Sequence, residues 1–62
     1  MLYPNIEVER MKLDMTKEDF SKTIGVTSKT YSNWQKNGNI PADKLLIISR
    51  VTDQSIDYLL GV

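Results

Sequence analysis

The chain has 62 residues, 40% of them hydrophobic, with eight basic and eight acidic side chains, no formal net charge and a pI near 6.1. It has no cysteine, which excludes a disulfide framework and a thiolate metal site, and no histidine, the commonest general base and metal ligand. A chain this short makes one domain at most, residues 1–62, near the lower limit for folding without a staple, so a helical core with dimerisation as a further source of stability is expected.

No stretch is long and apolar enough to span a membrane. The opening MLYPNIEVER lacks the basic start and long apolar run of a signal peptide. Both point to a soluble, cytoplasmic protein. Pro4 disfavours helix at Tyr3. Asn5 is suited to cap a first helix from Ile6 to about Leu13, with Glu7 near its positive end. Its apolar residues fall in two sets. Val8, Met11 and Met15 lie on one side and Ile6 and Leu13 on the other, so one set is expected to face the core and the other to be partly covered by the C-terminal helix.

Thr16 can cap a second helix with Glu18 and Asp19 in its first turn and Phe20 and Ile24 on one face. Gly25 ends it, since a positive φ costs glycine nothing. Val26 follows as an apolar plug. Thr27 caps a third helix running to about Lys36, in which Thr30, Tyr31 and Trp34 share one side. Ser28, Lys29, Ser32, Asn33 and Lys36 share the other. Two short helices joined by a glycine turn share one apolar seam, here Phe20, Ile24, Val26, Tyr31 and Trp34. Asn37-Gly38-Asn39 is a turn cluster. A fourth helix opens at Ile40-Pro41, with proline at its first position. Its residues Leu45, Ile48 and Val51 face the core, widened by Leu46 and Ile47. Thr52-Asp53-Gln54 is a turn, and aspartate tolerates the left-handed region there. Ser55 caps a last helix carrying Ile56, Leu59 and Leu60, which Gly61 ends. The expected fold is all-α, a bundle of five short helices without repeats or an internal linker.

The ordered set Thr16, Phe20, Ser21, Ile24, Gly25, Val26, Thr27, Tyr31 and Trp34 resembles the helix-turn-helix of the phage repressor and Cro family. The resemblance continues through Ile40-Pro41-Ala42, Leu45 and Ser55 to Gly61 and so covers nearly the whole chain. It implies a lambda-repressor-like DNA-binding domain in which helices 2 and 3 form the helix-turn-helix. It also implies a repressor-like transcription regulator that reads a double-stranded DNA operator as a homodimer, and the last helix and Gly61-Val62 are expected to be the dimer surface or the junction to a further segment. In that family an arginine at the place of Arg10 often pairs with a glutamate at the end of the recognition helix, where this chain has Gln35. Arg10 is left with three readings: a hydrogen bond to Gln35, a phosphate contact, or an exposed side chain.

Side chains near the start of a recognition helix reach base edges first. The base-contacting candidates are Thr27, Ser28, Lys29, Ser32 and Asn33. Lysine can donate to guanine O6 and N7, and asparagine can bond adenine N6 and N7. The phosphate-contacting candidates are Lys17, Lys22, Lys36, Asn37 and Asn39. Phe20 to Ala42 holds three lysines and no acid, against five basic and eight acidic residues elsewhere, so the middle carries +3 and the flanks −3. Such a strip can steer toward a duplex. The competing reading is a protein-interaction module on the same scaffold, a phage antirepressor or an antitoxin-like partner of a repressor or toxin-like protein. Zero net charge and the lack of arginine on the third helix favour it. An enzyme is not expected, nor a cofactor: no nucleotide loop, metal spacing or nucleophile–base set is present.

Overall fold

The computed structural model describes residues 1–62 and contains α1 (Pro4–Lys12), α2 (Lys17–Ile24), α3 (Ser28–Asn37), α4 (Ala42–Thr52) and α5 (Ile56–Leu60), with no strand. Local chemistry sets most of these boundaries. The hydroxyls of Thr16, Thr27 and Ser55 each accept the backbone N–H three residues on, satisfying amides that α2, α3 and α5 leave without an internal partner. At the end of α2, Gly25 has φ +85°, its N–H donates to the Lys22 carbonyl at 3.0 Å, and the Val26 N–H donates to the Ser21 carbonyl at 2.9 Å. That paired closure reverses the chain within two residues and starts α3 against α2. Asp53 closes α4 in the same left-handed region, at φ +56°. Gly38 ends α3 at φ +82°, ψ −148°, a conformation open essentially only to glycine.

Two starts differ from expectation. Asn5 does not cap α1. The helix begins two residues earlier than expected, at Pro4, whose missing N–H is no loss at a first position, and the Asn5 side chain donates instead to the Tyr58 carbonyl at 2.7 Å. Pro41 lies just outside α4, in extended geometry, and its carbonyl accepts the Lys44 and Leu45 N–H groups at 3.0 Å each.

Every helix contributes to one core: Ile6 from α1, Phe20 and Ile24 from α2, Tyr31 and Trp34 from α3, Ile48 from α4 and Leu59 from α5. Tyr31 meets Phe20 edge-on, with centroids 5.6 Å apart, and Trp34 at 6.5 Å in the same T-shaped manner. Val26, Ile40, Ile47 and Val51 pack against this cluster. The two apolar sets on α1 are not both covered. Ile6 is buried and Met15 half-buried, whereas Val8, Met11 and Leu13 are exposed. Leu46 is likewise exposed rather than part of the buried face of α4.

What α1 buries instead is charge. Glu7 and Glu9 are both about 5% exposed, and they face different neighbours. Glu7 receives Arg10 Nε and Nη2, each at 3.0 Å, and the Tyr31 hydroxyl donates to the same carboxylate. Arg10 Nη1 also donates to the Met15 carbonyl at 2.6 Å, so none of the three readings of Arg10 holds: its partner is Glu7, on its own helix. Gln35 bonds the Tyr31 hydroxyl at 3.3 Å and clamps the Tyr3 backbone through both its side-chain atoms, at 2.9 and 3.0 Å. Glu9 accepts from Lys12, Gln54 and the Tyr58 hydroxyl at 3.2, 3.3 and 3.0 Å. No buried side-chain nitrogen or oxygen lacks a partner, as a charged core requires.

These contacts move the titrations. The Arg10 hydrogen bonds hold Glu7 below the ordinary glutamate value of 4.5 against the opposing effect of burial, with the Tyr31 hydroxyl adding to them. Burial pushes Glu9 up, but the bonds from Lys12, Tyr58 and Gln54 outweigh it and its value is also lowered. Burial, then the bond to Glu7, raises Tyr31. A carboxylate with a lowered folded value stabilises fully above its unfolded value, and that stability is lost as pH falls through the folded one. Thermal melts should therefore be flat from neutrality down to the ordinary glutamate value of 4.5 and decline below it. Glu7→Gln should be less stable at neutral pH and decline less steeply in acid. Separately, Gly25→Ala places a Cβ in the left-handed region, where it meets Lys44 Nζ at 3.2 Å, the movable end of a flexible side chain. A loss of about 1–2 kcal/mol is expected from the backbone, read as a lower urea midpoint with an unchanged slope.

Candidate nucleic-acid interface

The two faces of α3 are divided by residue type. Tyr31, Trp34 and Gln35 are buried. Ser28, Lys29, Asn33 and Lys36 are exposed, and Ser32 is half-buried at the edge between them. The periodicity explains the division: 28, 32 and 36 form one ridge and 29 and 33 the next, both away from the 31–34–35 stripe. The helix carries no acidic residue.

The structure brings some of the candidates together and separates others. Lys17 at the start of α2, Ser32 and Lys36 line one groove of about 440 Å³, whose other walls include Leu2, Tyr31 and Gln35. Lys17, Lys29 and Lys36 have no carboxylate within ion-pairing distance. Asn37 and Asn39 are exposed at the far end of α3, Asn39 with φ +65°. Lys22 does not line the groove, and its ammonium lies 3.6 Å from Glu18 in an exposed pair. Thr27 has its hydroxyl committed to the helix start, accepting from the Thr30 N–H and donating to the Thr30 hydroxyl at 3.0 Å. Ser21, buried on α2, spends its hydroxyl on the Lys17 carbonyl at 2.6 Å.

Gln35, read from the sequence only as a partner for Arg10, and Glu7, read only as an acid near the start of α1, both line the groove with Lys17 and Lys36. The signal for Glu7 lay in its spacing, three residues before Arg10, which suits an ion pair on one helix face. For Gln35 it lay one residue beyond Trp34 on the buried stripe. Chemically the region offers ammonium and amide donors, hydroxyls and a shallow groove. It has no positioned nucleophile or base, and no cluster of acidic side chains near it could hold a metal ion.

Comparison with known proteins agrees with this geometry. A helix-turn-helix family model matches residues 6–59. An uncharacterized HTH-type transcriptional regulator of Bacillus subtilis (strain 168), YobD, is 35% identical over 49 residues, which is 77% of this chain and 44% of the relative. The chain therefore spans less than half the length of that curated relative. No solved structure gives a significant match. The family match begins and ends on the first and last core residues, Ile6 and Leu59, and the chain belongs to the helix-turn-helix family of DNA-binding transcription regulators.

Proposed function

We propose that this chain binds double-stranded DNA sequence-specifically, as a repressor-like regulator that lays α3 in the major groove. The observation that carries the reading is the sorting of α3 itself: its aromatic residues are sealed in the core while Ser28, Lys29, Asn33 and Lys36 stand in solvent. Lys29 and Asn33 are the base readers, with Ser28 and the half-buried Ser32 beside them and Thr27 presenting the helix start. Lys36, Lys17, Asn37 and Asn39 hold phosphates, the two lysines across the groove they share and the asparagines at the turn. Lys22 adds a weaker, outlying contact, because its exposed pairing with Glu18 exchanges readily with solvent and phosphate.

Size supports a pair of copies on one operator. The body measures 25 × 24 × 20 Å, less than one turn of DNA, about 34 Å. Half-sites one turn apart then place two copies side by side. Ile56 and Leu60 of α5, both half-exposed, are the residues on which they meet. The single body, residues 1–62, is the recognition unit.

Selection from a random duplex library should return a narrow, two-fold related motif. For the selected duplex, log affinity should fall linearly with log salt, and Lys36→Ala should reduce the slope by about one without changing the motif. Lys29→Ala should keep the slope nearer to wild type and relax preference at one base pair, by about 1–3 kcal/mol. Weak, salt-independent binding to every duplex would overturn the reading. Sedimentation should show a monomer–dimer equilibrium that Leu60→Lys shifts to monomer.

A further inference from the structure

The directional bonds that hold α3 do not come from α2, its partner in the motif. Between α2 and α3 the contact is apolar, with Tyr31 edge-on to Phe20. Packing of that kind places α3 against α2 by shape and ring geometry, and hydrogen bonds to other elements add a directional constraint of their own on its rotation. The side-chain hydrogen bonds leaving α3 go to α1 and the residues before it: Tyr31 to Glu7, and Gln35 to the Tyr3 backbone. Glu7 is in turn fixed by the Arg10 fork, and Arg10 by the Met15 carbonyl. Tyr31 lies midway between Lys29 and Asn33, so any turn of the helix about its axis moves both.

We propose that Glu7 is a positioning residue for the recognition helix: through the Tyr31 hydroxyl, α1 fixes the rotation and register at which α3 presents Lys29 and Asn33. The proposal rests on the DNA-binding reading for its functional readout. A matched control exists in the same molecule. Tyr58 of α5 donates to buried Glu9 of α1 at 3.0 Å, the same chemistry at a junction that does not involve α3.

The test compares Tyr31→Phe with Tyr58→Phe, each losing one hydroxyl-to-glutamate bond. Duplex affinity is corrected for the folded fraction, and amide hydrogen exchange is followed residue by residue. Tyr31→Phe should bind the selected duplex about tenfold more weakly, the scale of a bond to a charged acceptor, and discriminate less at the bases facing Lys29 and Asn33. Measured at a protein concentration at which all variants are dimeric, Tyr58→Phe should stay within about twofold of wild type, since sites that share no partner act independently. Exchange should quicken in α3 for the first variant and in α5 for the second. Equal losses of affinity in the two variants, or unchanged exchange in α3 of Tyr31→Phe, would overturn the proposal. If the wild-type chain selects no duplex, the DNA-binding reading fails and the exchange pattern alone decides whether Tyr31 positions α3. Should Tyr31→Phe not fold, Glu7→Gln takes its place: it keeps an acceptor for the hydroxyl but drops the charge, so affinity should fall and α3 exchange quicken in the same direction but by less, and unchanged α3 exchange would overturn the proposal.

Discussion

Tyr31 is where the apolar and polar halves of the structure meet. Its ring touches Phe20 and Trp34 in the core, and its hydroxyl reaches the Glu7 carboxylate and the Gln35 amide. Tyr31, the fourth of the ten residues of α3, is held at both ends of its side chain, and with Trp34 and Gln35 it forms the buried face of the helix. The exposed ridge of Ser28, Lys29, Asn33 and Lys36 is a consequence of that constraint, not a separate feature of the surface. The cost of burying Glu7 is offset because the carboxylate is doubly bonded by Arg10 before Tyr31 is added. Remove either partner and a charge is left short of donors in a setting where that is expensive.

Local chemistry was legible where one residue acts on its own backbone. Thr16, Thr27 and Ser55 cap their helices and Gly25 turns the chain as their types require. The inward aromatic stripe followed from helical spacing, and so did the exposure of Lys29 and Asn33. The errors arise where two solutions were locally equal and a distant partner chose between them. Asn5 has the right type for a cap, but Pro4 can already occupy a first helical position, and the Tyr58 carbonyl, 53 residues away, takes the amide. Leu46 on α4 and Leu13 just beyond α1 have core chemistry but stand exposed. A chain this short has little interior to offer, so some apolar residues must remain outside. Arg10 was ambiguous because so long a side chain can reach several partners; the burial of Glu7 leaves that carboxylate in need of donors, and Arg10, three residues on, supplies them.

Formal neutrality conceals how the charges are used. Each of the eight acidic residues has a place in the architecture. Glu7 and Glu9 are buried and bonded. Asp14 and Asp53 occupy left-handed turn positions, and Glu18, Asp19, Asp43 and Asp57 sit in helix first turns, where the dipole favours them. These roles lie at helix ends and inside the fold, and none lies on α3. Lysines on the motif have no such local neutralisation: Lys17, Lys29 and Lys36 are unpaired and lie on or beside one helix. A potential is set by where charges stand and how far apart, and over a Debye length of about 8–10 Å the near charges dominate. A duplex approaching α3 therefore meets a positive ridge, even though the sum over the whole chain is zero. Net charge is a poor guide for so small a chain, because its acids serve the fold and part of its cations is free to act outward.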